Sequence, residues 1–121
     1  MALTHLVDTS VLKRLSTQAI RDVIEPLADS GHLARTTVSD LEVGYSARNS
    51  QDWDDLLAAL DVFAMIETTA QHFDRAKQVQ RLLAARSQRG RKIPDLLIAA
   101  AAEAERLTVL HYEQEIGRAH V

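Results

Sequence analysis

The 121 residues carry 46% hydrophobic and 26% charged side chains with a net charge of −3, which excludes wholesale disorder and gives no global attraction to nucleic acid. Cysteine is absent, so disulfides and thiolate metal sites are excluded and a reducing compartment is natural. The length suits a single domain over residues 1–121 with one two- or three-layer core. No basic-then-apolar leader opens the chain, and no apolar run reaches the roughly 20 residues of a bilayer span. A soluble, cytoplasmic protein without membrane contact is therefore expected.

In chain order, His5-Leu6-Val7 reads as a short buried strand that runs into Asp8-Thr9-Ser10. An acid at the carboxyl end of a first strand lies where α/β sheets bind ligands, although Asp8, Thr9 or Ser10 equally serves as a helix cap. Residues 11–15 form a helical turn, and Ser16-Thr17 offers a cap for a helix through Leu27, which Pro26 is expected to bend or end early. A turn at Asp29-Ser30-Gly31 leads to a second strand over residues 32–36.

The next helix, residues 38–47, is capped at Thr36, Thr37 or Ser39. Helical spacing puts Val38, Glu42, Tyr45 and Asn49 on one side and Asp40 on roughly the opposite one. A carboxylate among apolar neighbours needs a pair, a hydrogen bond or a metal, and the plain expectation for Glu42 is a salt bridge to an Arg. Gly44 costs a helix about 1 kcal/mol against Ala, which points to a close approach at that residue. Residues 49–52 start another helix with Trp53, Leu56, Leu57 and Leu60 as its apolar stripe. Tyr45 and Trp53 are expected to pack, in the core or at a partner interface, rather than to stack on bases.

A buried third strand is expected within residues 61–67. Thr68-Thr69 then caps a long helix through Phe73, Ala76, Val79, Leu82, Leu83 and Ala84. Arg86, Arg89, Arg91 and Lys92 follow with no acid among them, either a nucleic-acid-binding loop or a solvated one. Pro94-Asp95 begins a helix whose four successive alanines press it against a sheet, and N-capping is the plain reading of Asp95. Residues 107–110 make a fourth strand ending at His111-Tyr112-Glu113-Gln114-Glu115. His72 and His111 are read as structural or exposed.

Strands and helices alternate, so the expected architecture is a parallel sheet between helices, an α/β/α sandwich. Asp8 and Glu113 or Glu115 then lie just beyond the carboxyl ends of two strands, with Asp95 and Glu42 on helices that reach the same edge. Carboxylates gathered there repel one another unless cations neutralise them. Hard oxygen donors without Cys or a His pair suit Mg²⁺ or Mn²⁺. Beside a basic loop, such an ion suggests phosphodiester chemistry by activated water.

Three blocks, Leu6-Val7-Asp8-Thr9-Ser10-Val11-Leu12, Val38-Ser39-Asp40-Leu41-Glu42-Val43-Gly44-Tyr45 and Ile93-Pro94-Asp95-Leu96-Leu97-Ile98-Ala99-Ala100, resemble PIN-domain ribonucleases, most closely the VapC toxins of bacterial toxin–antitoxin pairs. The order and separation of the blocks carry the resemblance over nearly the whole chain. It implies a PIN fold, an acidic Mg²⁺ or Mn²⁺ pocket, endonucleolytic cleavage of RNA, a cognate antitoxin and a homodimer. Asp8, Glu42 and Asp95 match the family's first three acids. Glu113 stands where the family has an Asp, with Glu115 in reserve. Thr9 or Ser10 would support the metal ligands by hydrogen bonding, and Arg86, Arg89, Arg91 and Lys92 would hold the RNA backbone. Family members usually run on into a further short strand, so with the sequence stopping at residue 121 either an incomplete sheet edge or an altered tail is expected. Two rivals remain: a PIN-like binding module with little or no turnover, and a receiver-like or phosphatase domain using Asp8 as phosphate acceptor. The second lacks the Lys such folds place late in the chain, since none follows Lys92.

Overall fold

The computed structural model describes residues 2–88, 90–113 and 118–120, with 113, 118 and 120 described by their backbone alone. Arg89 and Glu115, both singled out above, lie outside the described residues. The chain opens with β1 (His5–Val7), α1 (Thr9–Leu12), α2 (Gln18–Asp29) and β2 (Leu33–Thr36). α3 (Thr37–Gly44), α4 (Ser50–Ala58) and β3 (Ala64–Ile66) follow, and then the long α5 (Ala70–Ala85) and α6 (Ile93–Glu105). β4 (Thr108–Glu113) and β5 (Arg118–His120) complete one sheet in the order β3-β2-β1-β4-β5. Four strands are parallel, and β5 pairs antiparallel to β4.

Strand alternation divides the core between the two faces. Val7, Leu33 and Leu110 pack with Val11, Ile20, Ile24, Leu60 and Phe63 on one side. Leu6 and Ala34 meet Ile98, Ala101 and Ala102 of α6 on the other. The alanine run thus lets α6 lie close to the sheet, and α5 packs outside it through Ala76, Leu96 and Leu97. The chain steps outward from β1 to β3 and returns on the other side of β1, so the strand order reverses between β1 and β4. Open α/β sheets hold their ligand crevice at such a reversal, beyond the carboxyl ends of the strands.

Several local expectations change. Pro26 neither ends nor shortens α2, which continues to Asp29. Pro26 lies on the exposed side, where water can satisfy the carbonyl its missing N–H leaves free, and its own carbonyl still accepts from Ser30 N–H at 3.2 Å. β3 is an edge strand rather than a buried one, with Ala64 and Met65 exposed. The sheet edge on the other side is not left incomplete, because β5 covers β4. Gly44 does mark a close approach: a Cβ there would stand 2.9 Å from Trp53 Cδ1 and nearer still to its Nε1. The Trp53 indole lies half-exposed over that glycine.

Arg35, at the inner end of β2, is 8% exposed and makes the crossover into α3 rigid. Its Nε donates to Asp40 Oδ1 at 2.8 Å, while Nη1 donates to the carbonyls of Leu60 at 2.9 Å and Phe63 at 2.5 Å. Removing one partner of a desolvated pair leaves the other uncompensated, at about 3–5 kcal/mol. Arg35→Met should therefore lower the unfolding free energy in urea by about 3 kcal/mol. A loss under about 1 kcal/mol would mean the pair behaves as a surface ion pair.

Candidate active site

Asp8 leaves β1 with extended backbone and caps α1, its Oδ2 accepting from Ser10 N–H at 3.0 Å. Its own N–H donates to Leu110 O at 2.8 Å, which ties it to the neighbouring strand β4. Capping thus uses one carboxylate oxygen, and Oδ1 has no hydrogen bond among the described residues. Ser10 Oγ accepts from Tyr112 N–H at 3.1 Å, a second tie between α1 and β4. Arg14 reinforces it, with Nη1 donating to Ser10 O at 2.7 Å and its guanidinium 4.1 Å from the centre of the Tyr112 ring.

The next residue, Thr9, reaches across to α3. Its Oγ1 lies 2.6 Å from Glu42 Oε1 and 2.8 Å from Ser39 Oγ. An ionised carboxylate only accepts, so the Thr9 hydroxyl donates to Glu42 and must accept from Ser39. The Ser39 oxygen in turn accepts from Thr36 Oγ1 at 3.2 Å, and Thr36 Oγ1 accepts from Ser39 N–H at 3.3 Å as the cap of α3. Every hydroxyl in this chain donates once, and all three are buried. The relay therefore runs one way, from a helix N-terminus to Glu42. Thr36, Ser39 and Glu42 recur every third residue, a signal present in the sequence that the list of candidate residues above omits for Thr36 and Ser39.

Glu42 consequently takes its hydrogen bond from a threonine, not from the Arg expected. The Arg–carboxylate pair of this helix belongs to Asp40 on the opposite side. Among the described residues neither Asp8 nor Glu42 is ion-paired. Two carboxylates joined through adjacent residues, each with an uncommitted oxygen and no cation, form a set of hard oxygen donors that suits a divalent ion. Asp95 does not cap α6; Lys92 occupies that position, and Asp95 is exposed in the first turn. Glu113 ends β4, beside β1. Among the described residues no three acidic or histidine side chains already converge as a metal cluster.

Around the basic loop, α5 ends with Ser87 at φ 55°. Its last carbonyls are taken by Ser87 N–H onto Ala84 O at 3.0 Å and Gln88 N–H onto Leu83 O at 2.8 Å, the paired pattern of a helix ending in a left-handed residue. Arg86, Arg91 and Lys92 are exposed, with no ion pair among the described residues. Arg91 lines a surface pocket of ≈ 530 Å³ with Leu83, Ser87, Gln88 and Gly90. His72 is structural, its ring nitrogen accepting from Thr69 N–H at 3.2 Å in the cap of α5.

A family model described as PIN domain matches residues 5–120. The chain is 63% identical to Ribonuclease VapC51 of Mycobacterium tuberculosis (strain ATCC 25618 / H37Rv) over 95% of its own length and 84% of that protein's. It is 38% identical to Ribonuclease VapC21 of the same organism over 98% and 87%. Its fold matches a crystal structure of VapBC2 from Rickettsia felis bound to a DNA fragment from their promoter, with a TM-score of 0.74, 20% identity and coverage of 96% and 91% of the two chains. It also matches VapBC-5 from Mycobacterium tuberculosis, with a TM-score of 0.61, 23% identity and coverage of 95% and 87%. The chain belongs to the PIN-domain family. Within that family it stands among the VapC ribonucleases.

Thr9→Val keeps the shape of the side chain but strips Glu42 and Ser39 of their partner. Leaving buried polar groups unsatisfied costs about 1–3 kcal/mol, and denaturant titration should show a loss of that size. Thr9→Ser retains the hydroxyl and should recover most of it. Equal stability of the Val variant and wild type would show that the relay contributes nothing.

Proposed function

We propose that this chain is the toxin endoribonuclease of a type II toxin–antitoxin pair, hydrolysing RNA phosphodiester bonds in the cytoplasm at the crevice between β1 and β4. The observation that carries the reading is the Glu42 carboxylate held by Thr9, the residue that follows Asp8, with neither acid in an ion pair among the described residues. Asp8 and Glu42 would hold Mg²⁺ or Mn²⁺, joined by Asp95 from α6 and by Glu113, or Glu115, from the end of β4. A bound divalent ion supplies Lewis acidity toward the phosphate and lowers the pKa of water.

The chain's own residues do the positioning. Ser10 N–H holds one oxygen of Asp8 and leaves the other to face the crevice contents. Thr9 fixes the rotamer of Glu42, so that no reorganisation is needed when charge develops on the phosphate. Ser10 Oγ, through Tyr112 N–H, keeps α1 and β4 in register, and so fixes Asp8 relative to the strand that carries Glu113. Arg86, Arg89, Arg91 and Lys92 would take up phosphates along the RNA, a sequence-independent contribution that salt weakens. A cognate antitoxin is the expected protein partner, and the toxin itself is expected to be a homodimer. The 63% identity to Ribonuclease VapC51 favours this reading over a PIN-like module that binds without turnover.

A group that supports transition-state charge is worth about 10²–10³ in rate. Asp8→Asn and Glu42→Gln should each lower Mn²⁺-dependent cleavage of a transfer-RNA pool by at least about 10²-fold while leaving the circular dichroism spectrum unchanged. Cleavage at the wild-type rate by both folded variants would remove the acidic pocket from the reaction.

A further inference from the structure

Tyr45, at the end of α3, is 92% exposed, which rules out the core among the two placements expected of it, core or partner interface. Its neighbour one turn back, Leu41, is 70% exposed. These two side chains, with Lys13, Val38 and Glu42, line a surface pocket of ≈ 250 Å³. The lining of that pocket therefore includes the carboxylate that Thr9 orients and an aromatic ring with no partner ring or stacked cation among the described residues. Lys13 is exposed and takes part in no ion pair among the described residues.

We propose that this pocket is a nucleobase subsite: Tyr45 stacks on an unpaired base next to the scissile phosphate, and Lys13 holds a neighbouring phosphate. The proposal rests on the ribonuclease reading above and names how the same site grips its substrate. Residues three apart on a helix are neighbours, with about 5–6 Å between their Cβ atoms. A nucleotide adjoining a phosphate that a divalent ion would hold at Glu42 therefore comes within reach of the Tyr45 ring. Single-stranded nucleic acid is gripped by this combination, a flat aromatic face for the base and a cation for the backbone. A nucleotide suits this lining, because its phosphate can meet Lys13 while its planar base lies on the exposed Tyr45 and Leu41 side chains. Base stacking tolerates any base, so the subsite demands an unpaired nucleotide more than a particular sequence, and points to loops or single strands as the cleaved regions.

The test uses a ten-nucleotide single-stranded RNA carrying 2-aminopurine at one position, in EDTA so that no cleavage occurs. Wild type and Tyr45→Phe should quench the 2-aminopurine fluorescence on binding. Tyr45→Ala should bind about 10-fold more weakly, within the range stacking of one base supplies, and should lose the quench. Lys13→Gln should keep the quench and reduce the slope of log affinity against log salt by about 1. Because Tyr45 is exposed, its variants should melt with wild type, which separates recognition from folding. Wild-type affinity and quench in Tyr45→Ala would overturn the subsite while leaving the ribonuclease reading intact. The same would follow if that variant changed only the oligomeric state by light scattering, since the ring would then face a second copy. Failure of the wild type to bind this RNA in EDTA would overturn the subsite, and failure to cleave RNA with Mn²⁺ as well would overturn both.

Discussion

A single hydroxyl, that of Thr9, joins the two halves of the site. It is the only donor that one ionised carboxylate, Glu42, receives among the described residues, at 2.6 Å, and its direction forces that of every hydrogen bond behind it. Because Glu42 cannot donate, Thr9 must accept from Ser39, and Ser39 from Thr36. The orientation of an acid on α3 is thereby set by the N-cap of the same helix and by the residue that follows β1. Burial makes this firm: in a dry interior an unmade hydrogen bond has no water to replace it. The same hydroxyl holds Glu42 against the residue that follows Asp8.

That geometry would drift if α3 could rock on the sheet, and a second interaction prevents it. Arg35 rises from β2, grips Asp40 in the first turn of α3, and spends its remaining donor on the carbonyls of Leu60 and Phe63 in the connection to β3. α3 is therefore held by a cap, a desolvated ion pair and the Thr9 relay, on three sides of one short helix. On the other wall of the crevice, Ser10 and Arg14 bind α1 to β4 through Tyr112. Rigid supports on both walls are what a pre-organised site for charge stabilisation requires. The basic loop differs in kind. Its exposed cations Arg86, Arg91 and Lys92 follow a left-handed helix end and meet no acid among the described residues.

The alternation of strands and helices, and so the parallel sheet, was legible because strand and helix periods differ along the chain. The alanine run correctly announced a helix lying close to the sheet, and Gly44 a close approach, met by Trp53. Asp8 is a helix cap, as the plain reading has it, and capping uses only one carboxylate oxygen, so spacing alone cannot separate that role from a ligand-binding one. Other residues depended on tertiary context. Pro26 is tolerated in α2 because it faces solvent. β3 reads as apolar yet lies at an edge, a position decided by strand order, which periodicity does not contain. The capping reading of Asp95, the plain alternative to its role in the acidic pocket, fails because the helix begins two residues earlier at Ile93, with Lys92 as its cap. For Glu42 the sequence leaves a salt bridge to an Arg open beside a metal-binding role, because a half-buried acid is often ion-paired. The partner 33 residues away in sequence, Thr9, becomes visible only when β1 and α3 are packed.

The central claim is that the Thr9-oriented pair, Asp8 and Glu42, forms the heart of a divalent-cation pocket. Calorimetric titration of Mn²⁺ into wild type, Asp8→Asn and Glu42→Gln tests it most directly, with thermal melts to confirm that each variant is folded. Binding by the wild type that is lost or reduced at least about 10-fold in both variants is the predicted result. Undiminished Mn²⁺ binding in both folded variants would contradict it, and would place any metal of this ribonuclease elsewhere on the sheet edge.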